Sequence, residues 1–216
     1  MRPALVLVAV AVLVASCSGG GDGGCEALQP SSEGAELLFD GTDESLARWA
    51  HAGPGSLALQ EDCTLRTEGG LGLLWYEDAA VQAPATVRVE WRTEGDSNSG
   101  VFVGFPPPGA DPFVAVERGY EVQIDPADEA GWTTGAIYGL QAADADAVAE
   151  AANEGWNTFE IRIAPPEIVI SLNGVVVNRF TSTDPARADL GLGHVGLQNH
   201  GSEDVVHFRR VEALPG

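Results

Sequence analysis

The stretch RGYEVQID, residues 118–125, decides how the fold is read. As a strand it sets Tyr120, Val122 and Ile124 on one side and Glu121, Gln123 and Asp125 on the other, because strand side chains alternate with a period of two. One face suits a core, and the opposite face is either wet or chemically active. The same alternation, bounded by Gly, Pro, Asn and Asp, recurs at 85–92, 100–105, 157–164, 168–172, 175–180, 194–199 and 205–212, with 118–124 as a further strand. Asn173-Gly174 separates two of these runs, and both residues tolerate the positive φ of a type I′ turn, which predicts a direct hairpin.

Many short strands of this kind in one chain predict an all-β fold, a sandwich or jelly roll of two antiparallel sheets. Along 85–92, Val87, Val89 and Trp91 face inward, leaving Arg88, Glu90 and Arg92 outward. The Ala-rich, acidic segment 140–154 lacks a wide apolar stripe and reads as a short surface helix or a loop inserted near the rim of a site.

The first residues read as a leader. An apolar run from Ala4 to Ala15 follows Arg2 and is too short to span a bilayer, so residues 1–16 are expected to be a removed signal peptide. Val14-Ala15-Ser16-Cys17 resembles a bacterial lipobox, in which Cys17 would be lipidated and become the new N-terminus; the alternative is an ordinary signal peptide. Residues 17–34 begin with a Gly-rich run and are expected to form a tether, with one folded domain over 35–216. Cys25 and Cys63 remain, either bridged or as free thiols, in a compartment that permits disulfides. Of 11 basic residues the leader takes Arg2, leaving 10 against 32 acidic, a balance that repels nucleic acid and anionic lipid. The expected location is outside the cytoplasm, on the outer face of the membrane or in the periplasm, with a lipid anchor as the contact to membrane.

LFDG at 38–41, Trp49, VEWRTEGDSNSGVFV at 89–103, RGYEVQID, TGAIYG at 134–139, GWNTFEIR at 155–162, LNGVVVN at 172–178, GLQNHG at 196–201 and VHFRRVE at 206–212 together resemble the bacterial 3-keto-disaccharide hydrolase family, whose relatives include 3-keto-glycoside lyases. The resemblance implies a concanavalin-like β-sandwich, export, and a substrate whose C3 hydroxyl has been oxidised to a ketone. It also implies a separate sugar 3-dehydrogenase that makes the ketone, since no dinucleotide fingerprint occurs in this chain.

Such a ketone acidifies the C2 proton, so a base at C2, an acid at the leaving oxygen and donors for the enolate would suffice. Glu121 is read as the general base, its pKa raised by partial burial beside Glu90 from another strand; the alternative is a solvated strand carboxylate. His200, sharing one side of an extended strand with Gln198 and His194, is read as the acid or as the group that polarises the ketone, or else as a turn histidine. His194 is read as structural. Arg92, Arg118, Gln123 and Gln198 are candidate donors, Asn98 either an ordinary turn former or a turn residue whose amide meets sugar, and Trp75 and Tyr138 candidate stacking surfaces. No zinc spacing occurs; calcium or magnesium could be held by Asp96, Asp125 or Glu121. A non-catalytic carbohydrate-binding sandwich is the competing reading, because folds of this class host lectins as readily as enzymes. A surface domain for protein contact is a third.

Overall fold

A computed structural model describes residues 24–128, 131–185, 187 and 190–216. The leader and Cys17 lie outside the described residues. Numbered in chain order, the strands form two antiparallel sheets. The eight-stranded sheet runs β12 (Val175–Thr181), β11 (Glu167–Leu172), β10 (Asn157–Ala164), β7 (Ala85–Thr93), β14 (Val206–Pro215), β4 (Leu65–Glu68) and β3 (Ser56–Leu59), with β1 (Glu36–Phe39) also paired to β14. The six-stranded sheet runs β2 (Trp49–Ala52), β5 (Gly72–Tyr76), β13 (Leu192–Asn199), β8 (Ser99–Phe105) and β9 (Tyr120–Ile124), with β6 (Val81–Gln82) paired to β13. Three short helices complete the chain: α1 (Asp43–Leu46), α2 (Phe113–Arg118) and α3 (Ala145–Ala151).

The core lies between the sheets and follows the alternation. Val87, Val89 and Trp91 of β7 meet Val101, Val103, Tyr120, Val122, Ile124, Val195 and Leu197 of the facing sheet in one buried cluster. The hairpin at Asn173-Gly174 forms as its sequence predicts: φ is 50° at Asn173 and 87° at Gly174, and Leu172 pairs with Val175. One expectation changes and one alternative is settled. Arg118 does not begin a strand; it ends α2, and β9 starts at Tyr120. The segment 140–154 contains α3, capped by the Asp144 side chain, which accepts from the N–H groups of Asp146 and Ala147. Ala147, Val148 and Ala151 of α3 pack on the core, a stripe too narrow to register as an amphipathic pattern.

A smaller apolar cluster sits on the outer side of the six-stranded sheet, where Leu73, Trp75, Phe102 and Phe105 are covered by Ala115 of α2. That cover is why one half of this face is dry while the other half is polar.

The N-terminal segment is docked rather than free from residue 25 onward. Cys25 and Cys63 are disulfide-bonded. Leu28 N–H donates to Asp40 O, the Ser31 N–H and hydroxyl both donate to the Glu212 carboxylate, and Arg210 donates to Gln29 O. Burial pushes the Glu212 carboxyl up, but the Ser31 hydrogen bonds and Arg210 outweigh it and hold its pKa below the usual range. Breaking the disulfide, which spans 38 residues, with a Cys63→Ser change is expected to lower stability by about 2–4 kcal/mol. Paired thermal melts of the wild type and variant check this.

Candidate active site

Glu121 stands on the outer side of β9, opposite to Tyr120 and Val122, which enter the core. The residue is only 6% exposed. Its neighbours across the sheet come from β8 and β13. Gly100 pairs with Gln123, and a Cβ at Gly100 would lie 2.4 Å from Glu121 Oε1, so the missing side chain is what lets the carboxyl lean over β8. Gln198 on β13 reaches it from the far side of β8. Burial pushes the Glu121 pKa up to about 8, and the hydrogen bond from the Gln198 side chain offsets only part of the shift. Among the described residues, Oε1 of Glu121, Oε1 of Gln123 and Oε1 of Gln198 are buried without a hydrogen-bond partner. Three such atoms on one face are costly unless something else binds there.

The polar end of this face is closed by a chain of contacts. Behind it, on the core-facing side of β8, Ser99 Oγ donates to Gln198 O at 2.7 Å, and the Asn98 amide donates to Asp125 Oδ2 at 2.8 Å. Asn98 N–H donates to Asp204 Oδ1, while Asp204 Oδ2 faces His200 Nδ1 at 2.9 Å. His200 is exposed and lies one residue past the end of β13. Asp204 was not singled out from sequence. Its only signal is a carboxylate four residues after His200 in the turn leading to β14, and turns commonly carry Asp for backbone reasons alone.

The other expected residues divide sharply. Tyr138 belongs with the site: its N–H donates to Glu121 O, its neighbour Ile137 pairs with Val122, and its ring meets Trp132 edge-on at 6.2 Å. It is exposed and forms the open wall beside β9. Trp75 faces the same side but is buried under α2, edge-on to His194 at 4.8 Å, rather than presented as a platform. His194 is lodged there, its Nδ1 2.8 Å from Tyr76 O, and burial pulls its pKa down. Arg118 is exposed at the end of α2 rather than on the strand.

Glu90 and Arg92 are not part of the site. They lie on β7 of the opposite sheet and point away from the shared core, so the full thickness of the sandwich separates them from Glu121. Glu90 pairs with Arg209 and, at 3.2 Å, with Arg210. Arg92 lies 4.0 Å from Asp62 and 5.4 Å from the Trp156 ring. The raised pKa of Glu121 therefore comes from burial, not from a second carboxylate. Glu90→Gln is expected to leave sugar binding and turnover within about twofold while weakening the contacts of residue 90 with Arg209 and Arg210 by about 1 kcal/mol. Kinetics and denaturant melts of one preparation read both.

Among the described residues no three His, Cys, Asp or Glu side chains converge as a metal-binding group. Asp96 is exposed in the loop after β7, and the Asp125 oxygens already accept from Asn98 and from Ala127 N–H. This donor set does not fit a resident calcium or magnesium ion.

The site is thus a buried acid flanked by amides on the outer face of an all-β sandwich, with a histidine–aspartate pair just past the end of β13. The sequence profile of the 3-keto-alpha-glucoside-1,2-lyase-like domain matches residues 34–213, and the chain belongs to that family. A Parabacteroides distasonis protein provisionally described as a glycosyl hydrolase has a similar structure, with TM-score 0.65, 20% identity, and coverage of 84% of this chain and 99% of that one. A Bacillus subtilis protein of unknown function with a galectin-like fold follows at TM-score 0.59, 10% identity, and 83% and 94% coverage. The potassium-bound carbohydrate recognition domain of Emp46p is similar at TM-score 0.53, 12% identity, and 83% and 94% coverage. At these identities the structures speak for the fold alone. A search of curated proteins finds no match. The family marks the chain as a glycoside hydrolase-like or carbohydrate-binding domain.

Proposed function

We propose that the protein cleaves 3-keto-glycosides, 3-keto-disaccharides among them, by removing the C2 proton and expelling the C1 substituent. The ionised Glu121 carboxylate takes the C2 proton, and the electron pair forms the enolate at C2, C3 and the C3 oxygen. The Gln198 and Gln123 amides are placed to donate to that oxygen or to flanking hydroxyls. Collapse of the enolate forms the C1–C2 double bond and breaks the bond from C1 to the leaving oxygen. His200, oriented through Nδ1 by Asp204, supplies a proton to that oxygen from Nε2. Water then adds at C1 and a proton returns to C2, giving net hydrolysis; release of the enone before this step gives net elimination.

The observation that carries this reading is the Glu121 carboxyl itself, buried, tuned to about 8 and left with an unpartnered oxygen on an otherwise amide-lined face. A partner dehydrogenase of the sugar C3 position supplies the ketone, and lipidation at Cys17 holds the domain outside the cell. No helix among the described residues is long and apolar enough to cross a membrane. Incubating the purified domain with a 3-keto-disaccharide and with the same sugar unoxidised is the direct test. Cleavage confined to the oxidised sugar is expected, and inertness toward both would leave the binding module. That second reading draws on the fold shared with a carbohydrate recognition domain, and it requires no acid or base at residue 121.

A further inference from the structure

We propose that α2 carries the subsite for the group attached to C1, that this group is a second pyranose, and that Phe113 is the surface on which it stacks. The inference deepens the glycosidic reading above and rests on it. Phe113 is 52% exposed, on a helix whose Ala115 and Val116 close the dry half of the outer face. Phe113 and Val116 are three apart and so share one side of the helix. With Leu73, Phe102 and Gln198 they border a shallow crevice on that face.

The ring is placed before any ligand arrives. Pro112, with its fixed φ, leads into α2, and the Asp111 carboxylate accepts from Phe113 N–H at 3.0 Å. A platform held in this way loses little freedom on binding.

Gln198 joins the crevice to the catalytic face. Its amide N–H group donates to Glu121, and a planar amide that turns its nitrogen toward β9 turns its oxygen away. That oxygen is buried without a partner, on a residue that is 7% exposed and lines the crevice. An acceptor beside an exposed aromatic ring selects an occupant with both a C–H face and a hydroxyl. A pyranose has both; a plain alkyl or aryl group would leave the acceptor unmatched.

The direction of the substrate agrees. Glu121 leans over β8, and His200 stands one residue past the end of β13. With C2 at the first and the leaving oxygen at the second, the substituent continues toward β5, the next strand of the sheet, which carries Leu73 and lies under α2. From β9 to β5 there are three strand spacings, roughly 14 Å. That width holds two rings side by side, the keto ring toward Tyr138 and its neighbour against Phe113.

The binding arm of the test titrates glucose into the purified protein, followed by NMR. The wild type should bind it in the millimolar range, and Phe113→Ala should weaken binding at least about fivefold. Equal binding by both, or none by the wild type, overturns the subsite whatever the enzyme does. The side chain is exposed, so its variants are expected to fold. Phe113→Tyr, which keeps the ring, should bind as the wild type does, and Phe113→Leu, which keeps only apolar bulk, should not. The kinetic arm compares a 3-keto-disaccharide of two glucose units with methyl 3-keto-glucoside of the same anomeric form. The ratio of their kcat/KM values should fall about tenfold in Phe113→Ala and stay near the wild-type value in Phe113→Tyr. An unchanged ratio in Phe113→Ala overturns the inference alone, whereas cleavage of neither glycoside by the wild type overturns the glycosidic reading.

Discussion

Glu121→Gln is expected to lower kcat on a 3-keto-glycoside by about 10²–10⁴-fold, the usual worth of a positioned acid or base, with sugar affinity changed less than about threefold. The amide copies the shape and neutrality of the protonated acid, so the buried face should stay intact. Because the wild-type carboxyl titrates near 8, kcat/KM should climb about tenfold per pH unit below that value and level off above it, as a base must first lose its proton. A profile that instead falls through pH 8 would make Glu121 the acid. The same carboxyl couples stability to pH. In the unfolded chain it ionises near 4.5, whereas the native state keeps the proton to about 8. Between those values the native state binds more protons, so stability falls as pH rises, by roughly 5 kcal/mol at most. Glu121→Gln should flatten that slope, measured as melting temperature between pH 5 and pH 9. An unchanged slope would show that the carboxyl is not held as buried as the structure has it.

The second large effect is expected from Gly100→Ala. The added methyl group would meet Glu121 Oε1 at 2.4 Å and Cγ at 2.8 Å, so the carboxyl must swing away from β8 and from Gln198. Its obstacle is a flexible side chain, not backbone, and the domain should still fold. Displacement of about 1 Å at a reacting group can cost on the order of 10² in rate, and kcat should fall to that extent while the melting temperature moves by only a few degrees. A rate within threefold of wild type would mean that the lean over Gly100 does not position the base. The pH profile separates displacement from simple damage: a carboxyl pushed toward water should titrate closer to its ordinary value.

Much of the fold is legible in the sequence because the longer strands alternate over enough residues to declare a face. Residues 85–92, 157–164 and 194–199 lie wholly within observed strands. The N-terminal strands β1 to β4 have four residues each, too few for a period of two to stand out from Gly-rich turns. The site is legible one strand at a time: Glu121, Gln123 and Gln198 are outward residues in the sequence and in the structure. What alternation cannot tell is which sheet a strand joins. Glu90 is outward on β7 by the same rule that makes Glu121 outward on β9, yet the two outward directions oppose each other. Asp204 and Gly100 escape notice for a related reason, since their effects exist only once separate strands are neighbours.

The bond between Cys25 and Cys63 also governs how tension would travel through the domain. Residues 26–62, which include β1 on its pairing with β14, sit inside the loop it closes. A pull on the N-terminus therefore passes across sulfur to the turn between β3 and β4, and β1 is spared from being peeled off its neighbour.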